Sequence, residues 1–320
     1  MSNKLKIAFI IGDFPAVSET FIIDQVADLK DRGVDVEIFA FRKHSQEGVS
    51  ERYYDYKMSK LTNYLEMPAN KLIRIVLALR KLFKILLLNH RAFFRVLNFK
   101  KYGANARSLK LIFWVEPFLG KKFDLVHCHF GPAANKFLII KEILGLKTKI
   151  VTSFYGFDVS KVFQDEPVDY YYRLKKECLL FFVMSENMKE RVVARGFNSQ
   201  KVIVHPVGID VEKYNFSERR LAYDESVNIV TVGRFVEKKG FDDLLKALKI
   251  VKEKTAKKFM CHIIGGGPLE KDLQKLTDEL KLRDVVEYKG YMKIEDVINY
   301  FSKMHFFVQP SKTARDGDME

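Results

Sequence analysis

Short runs of Ile, Val, Leu and Phe recur between helical patterns along almost the whole chain, and this alternation restricts the fold more than any other feature. Strands are predicted at Lys6–Ile11, Val36–Ala40, Asp124–Cys128, Lys149–Ser153, Leu179–Met184 and Lys201–Val204. Helices are predicted over Glu19–Arg32, Pro132–Leu144, Asp169–Lys176 and Glu186–Arg195. The strands are continuously apolar, which demands cover on both faces, and strands separated by helices pair in parallel. The pattern then restarts with a strand at Val227–Gly233, a helix at Phe241–Lys254, a strand at Phe259–Ile264 and a helix at Leu269–Leu280. It continues through Val285–Tyr288, Ile294–Phe301 and His305–Val308. The sequence His205-Pro-Val-Gly-Ile-Asp210 and a polar stretch to Ser226 separate the two series. The expected fold is α/β, with two doubly wound parallel-sheet domains at residues 1–205 and 206–320, the second holding about four strands and incomplete.

Composition removes other classes. With 13% aromatic residues and 48% apolar residues, intrinsic disorder is excluded as the main state. Cys128, Cys178 and Cys261 lie too far apart for a disulfide framework or a zinc ribbon, which fits a reducing compartment. The apolar run Ile7–Ile11 is too short for a signal-peptide core, and no stretch of 18 uncharged apolar residues occurs. A cytoplasmic protein, soluble or peripheral on the membrane, is expected.

The net charge of +14 is concentrated. The 49 residues between Glu66 and Glu116 contain no acid and 11 Lys and Arg, leaving +3 for the rest of the chain. On a helix, Arg74, Lys81, Lys84, Arg91 and Arg95 fall within roughly a 100° arc, with Leu72, Ile75, Val76, Leu79, Leu82, Phe83 and Leu86 mostly opposite. Asn89 and His90 divide this helix in two. Residues 68–118 are therefore read as a basic amphipathic insertion suited to an anionic membrane surface, where each basic residue contributes about 1 kcal/mol. A buried helix with a solvated edge and an RNA-binding segment are the alternatives.

In open parallel sheets, ligands gather at the carboxyl ends of strands and phosphates at helix N-termini. Three such ends carry glycine: Gly12, Gly233-Arg234-Phe-Val-Glu-Lys-Lys239-Gly240, and Gly265-Gly266-Gly267-Pro268. Arg234 and Lys239 bracket a loop entering a helix and suit a diphosphate; the competing reading is a solvated loop and an ordinary structural turn. His127 and His129 alternate on one strand and share a face, with Cys128 pointing away, so the three do not read as a metal site. The next strand ends in Tyr155-Gly-Phe-Asp158, a hydroxyl and a carboxylate that also suit helix capping. Asp316-Gly-Asp318 matches either a divalent-metal pair or a turn.

Taken in order, Phe14-Pro-Ala-Val-Ser-Glu19-Thr-Phe21, His-Cys-His129-Phe-Gly, Ser-Phe-Tyr155-Gly-Phe-Asp158, Pro-Val-Gly-Ile-Asp, Gly-Arg-Phe-Val-Glu-Lys-Lys-Gly, Gly-Gly-Gly-Pro-Leu, Gln-Pro-Ser and Asp-Gly-Asp-Met-Glu320 resemble glycosyltransferase family 4. The likeness is to exopolysaccharide glycosyltransferases of the colanic-acid and amylovoran type. It implies a GT-B fold of two Rossmann-like domains facing across a cleft, the acceptor on the first and the nucleotide sugar on the second. It also implies transfer of a hexose with retention, by front-side attack in which the leaving phosphate takes the acceptor proton.

By the same resemblance, Arg234 and Lys239 grip the donor diphosphate, with Gly266 and Gly267 beside it, and Gly12 lets donor phosphates approach the first domain. His129 and Glu320 are expected at the transferred sugar, and Glu19, Tyr155 and Asp158 on the acceptor side. No metal and no cofactor are implied beyond a UDP- or GDP-linked donor. The partners implied are a lipid-linked glycan and the anionic inner face of the cell membrane, with no nucleic acid. A noncatalytic membrane- or RNA-binding module and a sugar-nucleotide epimerase of similar fold are the competing functions. Tyr155 stands where relatives carry His, which alters acceptor contacts. The family's Glu-x7-Glu pair is met only by Glu320, so the chain is read as truncated at its C-terminus.

Overall fold

The computed structural model describes residues 4–46, 48–214, 216, 218, 221, 222 and 224–319. Two compact units form, one from residues 1–46 and 52–207, the other from residues 47–51 and 208–320. Up to residue 207 the elements are β1 (Lys6–Phe14), α1 (Thr20–Asp31), β2 (Asp35–Lys43), α2 (Glu51–Asp55), α3 (Met58–Leu61), β3 (Thr62–Tyr64), α4 (Lys71–Leu88), α5 (His90–Val96), α6 (Phe99–Arg107) and α7 (Lys110–Val115). There follow β4 (Leu125–His129), α8 (Gly131–Leu144), β5 (Lys149–Ser153), α9 (Lys161–Asp165), α10 (Tyr172–Glu177), β6 (Leu180–Val183), α11 (Glu186–Ala194) and β7 (Val202–Val204).

All seven strands pair in parallel, in the order β3-β2-β1-β4-β5-β6-β7. Ala8 to Ile11 of β1 and Ile38 to Ala40 of β2 are fully buried, as continuous apolar strands between helical layers must be. The strand order turns back between β1 and β4, which places the switch point of the sheet there. β1 runs three residues past its expected end, because its pairing with β2 continues to Phe14 opposite Lys43. Its pairing with β4 stops at Ile10 opposite Cys128, so the last residues of β1 are unpaired on that side.

The second unit contains β8 (Val227–Val232), α12 (Phe241–Lys254), β9 (Phe259–Ile264), α13 (Glu270–Glu279), β10 (Val286–Gly290), α14 (Ile294–Phe301) and β11 (Phe306–Phe307). Its sheet is also wholly parallel, in the order β10-β9-β8-β11. Leu244, Leu245 and Leu248 of α12 and Leu273 of α13 pack with Phe259, Cys261 and Ile263 of β9 into one core.

The basic segment forms α4 to α7, and asparagines set its breaks. Asn70 accepts from the Leu72 and Ile73 amides, Asn89 from Ala92 and Asn98 from Lys101, each cap worth about 1 kcal/mol. The division of α4 differs from the helical-wheel expectation. Lys81, partly buried, and Lys84, still exposed, both pair with Glu116, with Lys81 Nζ 2.6 Å from Oε2. Burial works to raise the Glu116 carboxyl, but the two ammonium groups outweigh it and hold the pKa below its ordinary value. Arg74 donates to the Pro68 and Ala69 carbonyls, and Arg95 caps the end of α8 through the Glu142 and Ile143 carbonyls. Of the five expected membrane cations, only Arg91 is exposed with no such bond to the protein described here. Leu72, Val76, Leu79 and Phe83, 63–75% exposed, form the outer face instead.

Cys128, Cys178 and Cys261 are free and buried. Burial raises all three thiols, Cys178 to about 11 and Cys261 to about 12.

At Gly265 φ is +133° and an added Cβ would lie 2.0 Å from the Gly233 carbonyl oxygen. Gly265→Ala is therefore expected to destabilise the second unit by more than about 2 kcal/mol in urea denaturation. At Gly12 a Cβ would meet nothing within 4 Å, and Gly12→Ala is expected to leave the transition unchanged.

Candidate active site

At the β4 and β5 ends of the first unit, strand alternation brings two imidazoles together. The His127 and His129 rings stack at 4.3 Å, and Phe9 of β1 lies 4.7 Å from His129. His127 Nε2 shares a 2.8 Å hydrogen bond with Ser153 Oγ, and His129 Nδ1 shares one of 2.8 Å with the Tyr155 hydroxyl. His129 Nε2 is buried and has no hydrogen-bond partner among the described residues. Burial lowers both imidazoles, His127 to about 4 and His129 well below its ordinary value, each further depressed by a neighbouring imidazole. Both are neutral at pH 7. Cys128 faces the opposite side, inside the core.

Asp158 is fully buried and directs both oxygens at backbone amides. Oδ1 accepts from Tyr155 and Gly156 at 3.0 and 3.2 Å, and Oδ2 from Gly131, the first residue of α8, at 3.1 Å. Burial raises its pKa to about 6 against the pull of these bonds. Asp158 thus fixes the turn that carries Tyr155 and ties it to the N-terminus of α8. It does not reach solvent. Glu19, at the start of α1, lies close enough to Tyr155 for its charge to add to the burial that raises the phenol, and Phe21 packs on the Tyr155 ring at 4.5 Å. Gly12, on the stretch of β1 free of β4 pairing, faces open space.

In the second unit the ends of β8 and β9 are knotted through backbone. The Phe235 amide donates to the Gly266 carbonyl at 2.8 Å, the Leu269 amide to the Phe235 carbonyl at 3.1 Å, and the Tyr291 hydroxyl to the Gly266 carbonyl at 2.9 Å. Gly267, at φ +153°, leaves no room for a side chain, since a Cβ would lie 2.8 Å from the Phe235 nitrogen. Arg234 is exposed beside this knot, and the Lys239 stem passes over Gly233. Lys238 points elsewhere, to Asp318 at 3.1 Å. The Asp316-Gly-Asp318 segment is a turn, with the Asp318 amide on Asp316 Oδ1, and its second carboxylate is engaged by Lys238. Among the described residues no three His, Cys, Asp or Glu side chains cluster as metal ligands.

Residues 18–213 match the profile of Glycosyltransferase Family 4, and residues 213–317 that of Glycosyl transferases group 1. The chain belongs to glycosyltransferase family 4. It is 30% identical to Escherichia coli WcaL, named a colanic acid biosynthesis glycosyltransferase, over 99% of this chain and 78% of that protein. It is 32% identical to Erwinia amylovora AmsK, an amylovoran biosynthesis glycosyltransferase, with the same coverage. Among solved structures, Anabaena HepE with UDP and glucose superposes with a TM-score of 0.63 at 14% identity, covering 98% of this chain and 76% of HepE. Staphylococcus aureus TarM superposes with a TM-score of 0.64 at 11% identity, covering 96% of this chain and 81% of TarM. The two parallel-sheet units are those of the GT-B fold.

Within this family 4 glycosyltransferase the first unit gathers His129, Tyr155, Glu19 and, through backbone, Asp158. The second gathers Arg234, Lys239, Gly266 and Gly267. Glu320 lies outside the described residues. Ser153, Phe9 and Tyr291 escaped sequence reasoning: a serine closing a strand and two aromatic residues carry no spacing signal for the partners they meet.

The buried imidazoles fix the sign of a pH effect. Their folded-state pKa values are depressed, so their contribution is present above about pH 6.5 and is lost as the pH falls towards 4. Asp158, raised to about 6, opposes them with one proton against two. The first unit is expected to lose about 1 kcal/mol per pH unit between pH 6 and 5 in urea titrations. Replacing both histidines with glutamine removes that loss.

Proposed function

We propose that the chain transfers a hexose from a UDP- or GDP-linked donor to a lipid-linked glycan in exopolysaccharide synthesis, with retention and without a metal ion, at the inner face of the cell membrane. The observation that carries this reading is the pair Arg234 and Lys239 at the β8 end, beside a turn whose Gly265 and Gly267 leave no room for side chains of their own. A guanidinium and an ammonium group bind a diphosphate and stabilise the charge that develops as it leaves. Lys238 and Asp318, bonded to one another, supply neither the second cation nor a metal ligand.

In the reaction, the bond from the acceptor oxygen to the anomeric carbon forms on the face from which the phosphate oxygen departs. The acceptor proton passes to that phosphate oxygen, so no carboxylate base is needed. With Nδ1 taken by Tyr155, His129 Nε2 is the ring atom left for a hydroxyl of the transferred sugar. A neutral imidazole makes that bond without placing a cation beside an oxocarbenium-like centre. The names of WcaL and AmsK support a surface polysaccharide as the product. The UDP and glucose in HepE support a nucleotide-sugar donor.

UDP- or GDP-sugar binding, followed by calorimetry, is expected to survive EDTA. Arg234→Ala and Lys239→Ala are each expected to weaken it roughly 10–100-fold, the span of a lost charge-assisted hydrogen bond. Loss of binding on chelation alone would overturn the metal-free mechanism.

A further inference from the structure

The acid-free segment leaves a row of large apolar side chains exposed along its longest helix, the reverse of a helix docked on its own protein. Leu72, Val76, Leu79, Phe83, Leu86 and Leu87 lie within about a 100° arc of α4, a helix about 27 Å long. They are 39–75% exposed, and Phe94 of α5 is 68% exposed. The opposite side is committed to the protein: Ala78 and Ile85 are buried, and Lys81 and Lys84 meet Glu116. Ile73, Ile75 and Leu88, 49–60% exposed, widen this open face, and apolar surface left open along a helix marks an interaction site.

Charge identifies the partner. Lys71, Arg80 and Arg91 are exposed around the stripe, and no acid occurs between Glu66 and Glu116. A second copy docked through a two-fold axis would set these cations against their own equivalents. An anionic leaflet offers hydrocarbon to the stripe and phosphates to its rim. No helix among the described residues is long and apolar enough to cross a membrane, so α4 lies in the plane. A groove of about 570 Å³ runs along the edge of the stripe, lined by Leu77, Phe83, Leu87 and Leu88 with Arg80 and the Lys81–Glu116–Lys84 cluster, and offers a place for one lipid chain.

We infer that the outer apolar face of α4, continued by Phe94, inserts into the hydrocarbon boundary of an anionic bilayer, with Arg80 and Arg91 at the headgroups. This deepens the membrane-side location proposed above and rests on it, but not on the identity of donor or acceptor. Attachment is then carried by hydrocarbon burial, with Lys81 and Lys84 paired to Glu116.

The test is flotation of the full chain with phosphatidylcholine vesicles, with and without phosphatidylglycerol, alongside donor binding and sedimentation. The unmodified chain is expected to float with the mixed vesicles and to remain bound when salt is raised. Leu79→Asp with Phe83→Asp is expected to lower vesicle affinity tenfold or more, with donor binding and circular dichroism unchanged. Arg80→Glu with Arg91→Glu is expected to remove the preference for phosphatidylglycerol. Flotation of the Leu79/Phe83 variant like the parent overturns the inference, as does complete release of the parent by salt. A dimer that this variant dissolves, without change in flotation, overturns it in favour of a second copy. Failure of the parent to bind any nucleotide sugar while still floating counts against the transferase reading alone.

Discussion

A wholly parallel sheet fixes almost everything else in each unit. Its strands run the same way, so every crossover returns over a face and every carboxyl end opens at one edge. In the first unit that edge receives Gly12, His129 and Tyr155 from three different strand ends, with β1 and β4 parting at the switch point. In the second it receives Arg234 and the 265–267 turn. No side chain had to be steered individually to these places; hydrogen-bond direction in the sheet delivers them.

Burial then tunes what the sheet delivers. His127 and His129 are stacked beside Phe9 and held by Ser153 and Tyr155, and the cost of charging them there keeps both neutral. Asp158 does the opposite work, bringing a carboxylate to two amides of its own loop and one in the first turn of α8. The second unit relies mainly on backbone, threading Gly266 against Phe235, with the Tyr291 ring laid over Gly266 and Arg234 exposed beside it.

The fold was legible because continuous apolar strands and helical patterns alternate at lengths that only a doubly wound sheet accepts. β3 was not, since Thr62–Tyr64 is a three-residue edge strand whose pairing with β2 leaves no apolar run to read. The gathering of His129 with His127 followed from alternation, and their neutrality followed from depth, which the sequence does not display. The orientation of α4 was also hidden. A helical wheel separates two faces without saying which one meets the protein; it is the side of Ala78 and Ile85, where Lys81 also meets Glu116, the first acid after 49 residues without one. Asp158 looked like a substrate contact for a related reason: spacing placed it at the rim, but only the register of its loop turned it inward.

The cysteines carry a practical consequence. Cys128, Cys178 and Cys261 are buried and protonated well above physiological pH, and the sequence contains no others. The folded protein is therefore silent towards thiol reagents without any cysteine being removed. One cysteine engineered at an exposed position would become its sole reactive handle, so a fluorophore or spin label could be attached at a chosen point on an otherwise native surface.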